Sequence, residues 1–329
     1  MKPIPVALIG CGGFGRNMHL GNLCANERFR VHCTVDINGD SARSSAEQAA
    51  AAYWTDDPER AFADEAVELA FIVTPHHTHA DLSVRAARAG KHVFCEKPMG
   101  LNEAECAAVV AAVQRAGIKY VIGHNRTFAP FTRQAIELLR PLAAPMLICH
   151  RFADWNPYSR GWLLDERLSG GRVLGEGSHS LDMMCQLTGQ SPIRVYAEGA
   201  NLAAASPTGA ADSALISLGF ADGSSGVLFL SSVGNNGYPK EEVVITCANH
   251  TIAIQNFERM VVCAPAGQET FTLPKMDKGH RALLDAIARA IREETPIPNG
   301  VEEAWRTARL TFAAARAIRG HTVEMVAAS

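Results

Sequence analysis

The sequence predicts an α/β fold in which a doubly wound parallel sheet comes first and a second domain containing β-hairpins follows. The chain has 329 residues, more than the ~250–300 at which single hydrophobic cores usually stop growing, so two domains are expected. Short apolar strands alternate with helix-length segments in the first third of the chain, which is typical of parallel sheets. Hairpin patterns at residues 215–233 and 241–256 replace this alternation later. We therefore expect domains at residues 1–123 and 124–329.

Composition and charge are those of an ordinary globular protein. Hydrophobic residues make up 47% of the chain, charged residues 20%, and the formal net charge is −3. A basic run that would bind nucleic acid is absent from the sequence, as is an apolar run near the ~18 residues of a membrane span. The nine cysteines lack C-x-x-C spacing, which argues against a zinc site and for reduced core residues. We expect a cytoplasmic protein with neither nucleic-acid nor membrane partners.

The first strand, residues 5–9, opens directly into a glycine-rich turn. In the pattern G-x-G-x-x-G, the first glycine permits a tight turn, the second lets the backbone approach a pyrophosphate, and the third lets the next helix pack closely. The phosphates then lie on helix N–H groups. The pattern predicts a Rossmann dinucleotide site made by Gly10, Gly12, Gly13, Phe14 and Gly15.

An acidic residue follows the second strand, residues 29–35. Asp36 lies 21 residues after Gly15, where a carboxylate that binds the ribose hydroxyls is expected. Its charge would repel the extra phosphate of NADP, so NAD is the expected cofactor and NADP a possible one. Arg43 could reach a 2′-phosphate, although its alanine-rich helix is more typical of a solvated surface.

The strand at residues 92–95 ends in Glu96, Lys97 and Pro98. Proline fixes its own φ and restricts the preceding residue, so Lys97 is held at a strand tip. Ligands of parallel sheets bind beyond the carboxyl ends of the strands.

The strand at residues 69–73 ends on the same side of the sheet, and Thr74, Pro75 and His79 follow it. His76, His77 and His79 have no nearby acid or thiol in the sequence to complete a metal site. We expect this segment to form a loop and helix start beside the cofactor and to bind no metal.

Together these motifs resemble the glucose-fructose oxidoreductase, inositol dehydrogenase and MocA (Gfo/Idh/MocA) family of sugar and cyclitol dehydrogenases. The resemblance also includes residues 89–93, 123–126, 170–171 and 179–182. It implies a Rossmann domain followed by an α+β domain whose large, mostly antiparallel open sheet covers the nicotinamide and often mediates oligomerisation. We therefore expect a homo-oligomer, dimer or tetramer, that acts on a small polyol or sugar.

An acid, an imidazole and a second acid recur at intervals of three residues in a predicted amphipathic helix. Glu176, His179 and Asp182 would share one face of that helix, an arrangement suited to proton transfer. The alternative is a purely structural one, a capped helix in which the histidine makes its hydrogen bonds within the protein. The resemblance favours the catalytic interpretation. Family members carry an Asp at the position of Gly175, and whether Glu176 replaces it is open.

We assign His179 as the base, because an imidazole has an unperturbed pKa of about 6.5, whereas the unperturbed pKa of a lysine such as Lys97 is near 10.4. Lys97 would hold the hydroxyl and stabilise the developing alkoxide, with Glu176 or Asp182 orienting the imidazole. The two roles exchange if burial depresses the pKa of the lysine.

The candidates for substrate contact are Asn125, Arg126, Trp155, Tyr158 and Trp162. Thr127 stands where many relatives have a second arginine. The predicted reaction is hydride transfer between nicotinamide and a secondary alcohol or ketone of a sugar, cyclitol or related polyol. The alternatives are a redox-neutral epimerase or glycoside-cleaving enzyme with tightly bound NAD, and a non-catalytic NAD(P)-binding sensor.

Overall fold

The computed structural model describes residues 2–155, 161–203 and 211–326. The chain forms two compact units. The first contains the residues up to Gly123 together with Arg281–Trp305, and the second contains His124–His280 with the residues from Arg306 onward. The break after Gly123 lies where the sequence places it, but the second domain does not keep residues 281–305.

The first unit is built on a six-stranded parallel sheet with strand order β3-β2-β1-β4-β5-β6. The order reverses between β1 and β4, and ligands of such sheets bind at this switch point. Every residue of β1 and of β4 is buried, which explains their continuous apolar sequences. The strands are β1 (Ile4–Ile9), β2 (Phe29–Val35), β3 (Tyr53–Thr55), β4 (Leu69–Ile72), β5 (His92–Cys95) and β6 (Tyr120–Ile122).

Helices connect these strands, and several begin at polar residues that cap free N–H groups. Asn38 accepts a hydrogen bond from the Ser41 N–H at 3.1 Å, and Asn102 accepts one from the Glu105 N–H at 3.0 Å. A π-type segment, Gly15–Leu20, follows the glycine-rich turn. The helices are α1 (Gly21–Cys24), α2 (Gly39–Ala49), α3 (Pro58–Ala63), α4 (His79–Arg88) and α5 (Glu103–Ala116), with a 3₁₀ turn at His76–Thr78.

The second unit contains a nine-stranded sheet with strand order β14-β13-β12-β11-β7-β10-β9-β8-β15. Neighbouring strands are antiparallel except β7 and β10, which are parallel. Both predicted hairpins are present, as β9 with β10 and β11 with β12. The strands are β7 (Leu147–Ala153), β8 (Pro192–Ala200), β9 (Ser213–Phe220), β10 (Ser225–Ser231), β11 (Glu241–Cys247), β12 (His250–Gln255), β13 (Arg259–Ala264), β14 (Gly267–Thr272) and β15 (Glu324–Met325).

Buried and exposed side chains alternate along these strands, so the sheet has one buried face and one exposed face. Ile216 and Leu228 point into the core, whereas Leu215, Val227 and Phe229 are exposed. The buried face packs against helices of the same unit. The remaining helices of the chain are α6 (Pro130–Leu139), α7 (Glu166–Ser169), α8 (Ser178–Thr188), α9 (His280–Arg292) and α10 (Val301–Gly320), with 3₁₀ turns at Asn125–Phe128, Arg140–Leu142 and Gly161–Leu164 and a π-type segment at Val173–Gly177.

Long-range hydrogen bonds hold residues 281–305 in the first unit. Asn26 donates to Asp285 at 2.9 Å, and the Ile122 N–H donates to the Asn299 carbonyl at 3.0 Å. The Arg292 guanidinium lies 2.6 Å from the Glu68 carboxylate. The sequence placed this segment in the second domain because the boundary was drawn from a change in composition. Composition does not reveal contacts between residues so far apart in the chain. Over the three described ranges, the helices are all too short or too polar to cross a membrane.

Candidate active site

The glycine-rich turn combines two tightly packed glycines with two open ones. Gly10 has φ +100°, and a Cβ added there would lie 2.5 Å from the Val73 carbonyl oxygen. A Cβ on Gly15 would collide with the Gly10 carbonyl oxygen. Gly12 and Gly13 have no atom within 4 Å of an added Cβ. The turn therefore requires glycine for packing at its two ends and leaves its middle accessible to a pyrophosphate.

Asp36 lies at the end of β2, where the sequence predicts the ribose-binding acid. Its carboxylate accepts hydrogen bonds from the N–H of Cys11 at 2.7 Å and from the N–H of Asn38 at 2.8 Å. These bonds connect the glycine-rich turn to the start of α2. The next residue, Ile37, is 96% exposed, and sequence reasoning did not single out this apolar side chain.

Arg43 forms a surface pair with an acid of its own helix. Its guanidinium lies 3.3 Å from Asp40, and both side chains are largely exposed. This geometry matches the solvated position that the sequence favours for Arg43.

The strand end at Lys97 is supported by a buried histidine and acid. Glu96 is buried, and its Oε1 lies 2.8 Å from Nε2 of His19. The other oxygen accepts a hydrogen bond from the Lys97 N–H at 3.2 Å. Lys97 itself is half-buried. Sequence reasoning missed His19, whose only signal is a lone histidine on the segment after the glycine-rich turn.

His79 connects the loop after β4 to the residue that follows Lys97. Its Nδ1 lies 2.8 Å from the Pro98 carbonyl, and its Nε2 lies 2.8 Å from the Thr74 carbonyl. Burial lowers the pKa of this imidazole, and the two carbonyl contacts oppose that effect. The Thr78 hydroxyl donates to the Pro75 carbonyl at 2.7 Å. In this geometry His79 supports the loop from the interior, and a direct contact between His79 and a cofactor stays a prediction.

The second unit contains its own group of buried polar side chains, around Asp182 on α8. The hydroxyl of Thr127 donates to Asp182 Oδ2 at 3.1 Å, and the hydroxyl of Thr307 donates to Oδ1 at 3.3 Å. Nδ1 of His124 and a guanidinium nitrogen of Arg306 each lie 3.6 Å from Oδ1. Asp182 is therefore positioned by four residues from two distant parts of the chain, 124–127 and 306–307. Thr127, where many relatives have arginine, contacts this acid directly.

His179 is buried one turn before Asp182, and its ring lies 5.7 Å from the His124 ring in an edge-on arrangement. Glu176 is half-buried and belongs to the π-type segment Val173–Gly177. The predicted shared face assumed α-helical spacing throughout. Because a π-type segment has more residues per turn, the interval from Glu176 to His179 is not one α-helical turn. The catalytic roles of His179, Glu176 and Asp182 stay predictions.

Arg126 takes part in a buried ion network centred on Glu241. Two guanidinium nitrogens of Arg126 donate to Glu241 at 2.6 and 3.0 Å, and Lys278 Nζ lies 2.5 Å from the same carboxylate. Burial by itself raises the pKa of Glu241, but the charges of Arg126 and Lys278 outweigh this and hold that pKa well below its usual value. Asn125 donates to the Lys278 carbonyl at 2.7 Å. The predicted substrate pair Asn125 and Arg126 is thus held rigidly by Lys278 and Glu241.

The aromatic candidates for substrate contact differ in their surroundings. Trp155 is half-exposed, and Lys240 Nζ lies 5.6 Å from the centre of its ring. Trp162 is partly buried. Tyr158 lies outside the described residues.

Two sequence profiles match this chain. The profile described as "Oxidoreductase family, NAD-binding Rossmann fold" matches residues 4–124, and the "GFO/IDH/MocA C-terminal domain" profile matches residues 142–253.

Known relatives match most of the chain. The uncharacterized oxidoreductase YrbE of Bacillus subtilis (strain 168) is 30% identical over 241 residues, which are 72% of this chain and 70% of the relative. The inositol 2-dehydrogenase of Rhizobium meliloti (strain 1021) is 30% identical over 275 residues, covering 82% of this chain and 80% of the relative. The solved structure of a levoglucosan dehydrogenase in complex with NADH and levoglucosan has a TM-score of 0.88 at 19% identity, covering 99% of this chain and all of that one. At that identity the last comparison concerns the fold.

Proposed function

Because this chain belongs to the Gfo/Idh/MocA family of oxidoreductases, we propose that it transfers a hydride between NAD and a secondary alcohol or ketone of a sugar, cyclitol or related polyol. The family is enzymatic, and its N-terminal domain is an NAD-binding Rossmann fold. The observation that carries the proposal is the glycine-rich turn with its open Gly12 and Gly13, linked by a hydrogen bond to Asp36. The polyol substrate class is supported by the named activity of the inositol 2-dehydrogenase relative.

The residues of the first unit fit NAD. Gly12 and Gly13 leave open space in which a pyrophosphate could approach the backbone, and Asp36, at the end of β2, presents a carboxylate that could accept from ribose hydroxyls. We assign the preference for NAD over NADP to the charge of Asp36, since a second anion beside it would be repelled. When bound, NAD supplies the hydride acceptor for alcohol oxidation.

The proposed proton chemistry uses His179 and Lys97. The base, His179, accepts the proton of the substrate hydroxyl, because a neutral imidazole accepts a proton readily near pH 7. Lys97 donates a hydrogen bond to the same oxygen and stabilises its developing negative charge. In the reductive direction His179 returns the proton to the carbonyl oxygen. Asp182 or Glu176 is the proposed partner that orients the imidazole.

We further propose a cytoplasmic homo-oligomer. The exposed face of the nine-stranded sheet carries an apolar strip that includes Leu147, Leu215, Val227, Phe229 and Val244. These residues lie on adjacent strands, with Phe229 paired to Leu215. An apolar strip of this kind favours association with a second copy of the sheet.

The test is a screen of inositols, aldoses and other polyols with NAD and with NADP, followed at the absorbance of reduced nicotinamide. Substrate-dependent production of free NADH is the expected result. Conversion of a substrate with a copurifying cofactor whose redox state is unchanged would instead identify the redox-neutral enzyme. Cofactor binding without conversion of any substrate in the screen would identify the non-catalytic sensor.

A further inference from the structure

Three cationic side chains surround one buried phenylalanine of the second unit. Phe152, near the end of β7, is 1% exposed. The guanidinium carbon of Arg126 lies 5.7 Å from the ring centre, that of Arg172 lies 5.8 Å away, and Lys240 Nζ lies 5.1 Å away. Each of these distances is within the range of a cation–π contact. The ring therefore marks the centre of a concentrated positive charge.

Carboxylates neutralise only part of this charge. Asp154 lies 2.9 Å from Lys240 and 3.7 Å from Arg172. As described above, Glu241 is shared by Arg126 and the additional cation Lys278. Among the residues that the structure describes, four cations here face two carboxylates.

With four cations against two carboxylates, the cluster carries an excess of positive charge. Arg126 and Arg172 hold theirs at buried positions, where charge is costly unless an anion balances it.

Arg172 is the cation with the poorest set of partners. The residue is 7% exposed, and its Nε and Nη2 atoms have no hydrogen-bond partner within residues 2–155, 161–203 and 211–326. The 3.7 Å separation from Asp154 is too long for a hydrogen bond. Buried donors without acceptors cost free energy, and a guanidinium matches the two oxygens of a carboxylate or phosphate.

We propose that the Phe152 cation cluster, defined as Arg126, Arg172, Lys240 and Lys278 around Phe152, binds an anionic group on the substrate. This inference rests on the proposed function and narrows it to acidic sugars or polyols, those bearing a carboxylate or a phosphate. Arg172 and Lys240 supply the charge that recognises the anion. Trp155, half-exposed beside Lys240, supplies an aromatic surface for the sugar ring. Arg172 is the specificity-determining residue.

The test compares three sugars that differ only at the sixth carbon: D-glucose, D-glucuronate and D-glucose 6-phosphate. The full-length enzyme should use one of the two acidic sugars with a kcat/KM at least about tenfold above that for D-glucose. Preference for the uronate assigns the anion as carboxylate, and preference for the phosphate ester assigns it as phosphate. A wild-type kcat/KM for D-glucose equal to the values for both acidic sugars would overturn the proposal.

Arg172→Gln should lower the acidic-to-neutral ratio of kcat/KM by about 10- to 100-fold, mainly through KM, as expected for a lost charged hydrogen bond. The matched control is Arg167→Gln, because Arg167 is exposed and pairs with Asp165 on α7. That control should leave the ratio unchanged. An unchanged ratio in Arg172→Gln would contradict the assignment.

A binding measurement separates this inference from the proposed reaction. D-glucuronate or D-glucose 6-phosphate should raise the Tm of wild-type protein in the absence of NAD, and D-glucose should not. Arg172→Lys, which retains the charge and is a second variant if Arg172→Gln fails to fold, should show a reduced shift. Anion binding without any NADH production would refute the proposed function alone. Oxidation of neutral polyols without any anion-dependent Tm shift would refute the anion site alone.

Discussion

Oε1 of Glu96 lies 2.8 Å from Nε2 of His19, with both side chains buried in the first unit. Glu96 directly precedes Lys97 and accepts a hydrogen bond from its N–H. The segment that follows the glycine-rich turn is therefore connected, through one histidine and one acid, to the backbone of the proposed catalytic lysine. This connection makes a specific prediction about stability and turnover.

His19→Ala should lower the free energy of unfolding by about 1.5–3 kcal/mol, the usual loss for a hydrogen bond to a charged group. Turnover should fall as well, because the backbone of Lys97 loses part of its support. Urea denaturation and initial rates measure the two effects. His32→Ala is the control: it removes a 3.0 Å contact to Asp64 in the same unit and should reduce stability without a comparable fall in turnover. Equal falls in turnover for both variants would count against a positioning role for His19.

The second prediction concerns cofactor choice. Asp36→Asn removes the charge and retains one of the two oxygens, so it can accept from either the Cys11 or the Asn38 N–H while its NH2 group faces the other. The ratio of kcat/KM for NAD over that for NADP should exceed about tenfold in the wild type. The variant should lower this ratio, because the repulsion between Asp36 and the extra phosphate of NADP is removed. Asp36→Ala should narrow the ratio too, with an added loss of affinity for both cofactors. Equal efficiency with both cofactors in the wild type would rule out this role of Asp36.

Replacement of the proposed acid-base groups provides the third prediction. Lys97→Met and His179→Ala should each lower kcat by about 10²–10⁴-fold, the usual contribution of general acid-base groups, with little change in NAD affinity. Stopped-flow or steady-state rates with the best substrate from the polyol screen measure kcat, and fluorescence titration measures cofactor binding. A His179→Ala protein with near-normal turnover would remove His179 from the mechanism.

The exposed sheet face gives a prediction about assembly. Phe229→Glu places a charge in the apolar strip and should weaken self-association by at least about 100-fold. Light scattering coupled to size-exclusion chromatography should then change from oligomer to monomer at micromolar concentration. Gln268→Glu, on the exposed edge strand β14, is the control and should leave assembly intact. A monomeric wild type at this concentration would disprove the predicted oligomer.

The ion network of the second unit should depend on pH in a defined direction. The folded-state pKa of Glu241 is depressed, so its contribution to stability is fully present above the unfolded value of about 4.3. That contribution is lost as the pH falls below this value toward the folded-state pKa. At pH 7, Glu241→Gln should cost about 3–5 kcal/mol, because it leaves buried cations without their partner.

Urea denaturation at pH 7, 5 and 3.5 measures this effect, and the difference between wild type and Glu241→Gln should shrink only at the lowest pH. Glu242→Gln, at the more exposed neighbouring position, should cost much less at every pH. A difference between wild type and Glu241→Gln that stays constant down to pH 3.5 would contradict the pKa assignment.

Local sequence signals predicted the parts of the molecule that depend on local chemistry. The strand predicted at residues 29–35 is observed as β2 (Phe29–Val35). The glycine-rich turn lies where its spacing predicts it, because close contacts require glycine at Gly10 and Gly15, and Gly12 and Gly13 leave the open space that a ligand needs. These features involve few residues and short sequence separations.

Features that depend on long-range register could not be predicted in the same way. Arg126, on the 3₁₀ turn at Asn125–Phe128, and Glu241, at the start of β11, are 115 residues apart and meet only in the folded chain. The partners of Asp182 include Thr307, 125 residues away. Helical periodicity could not reveal the π-type segment that contains Glu176. The same limitation concealed Arg172, which has no motif of its own in the sequence.

The return of Arg281–Trp305 to the first unit has a consequence for biosynthesis. Domains that are continuous in sequence can fold one after another as the chain leaves the ribosome. Here Asn26, Glu68 and Ile122 of the first unit bond to Asp285, Arg292 and Asn299. The first unit therefore cannot complete these contacts until most of the second unit has been synthesised.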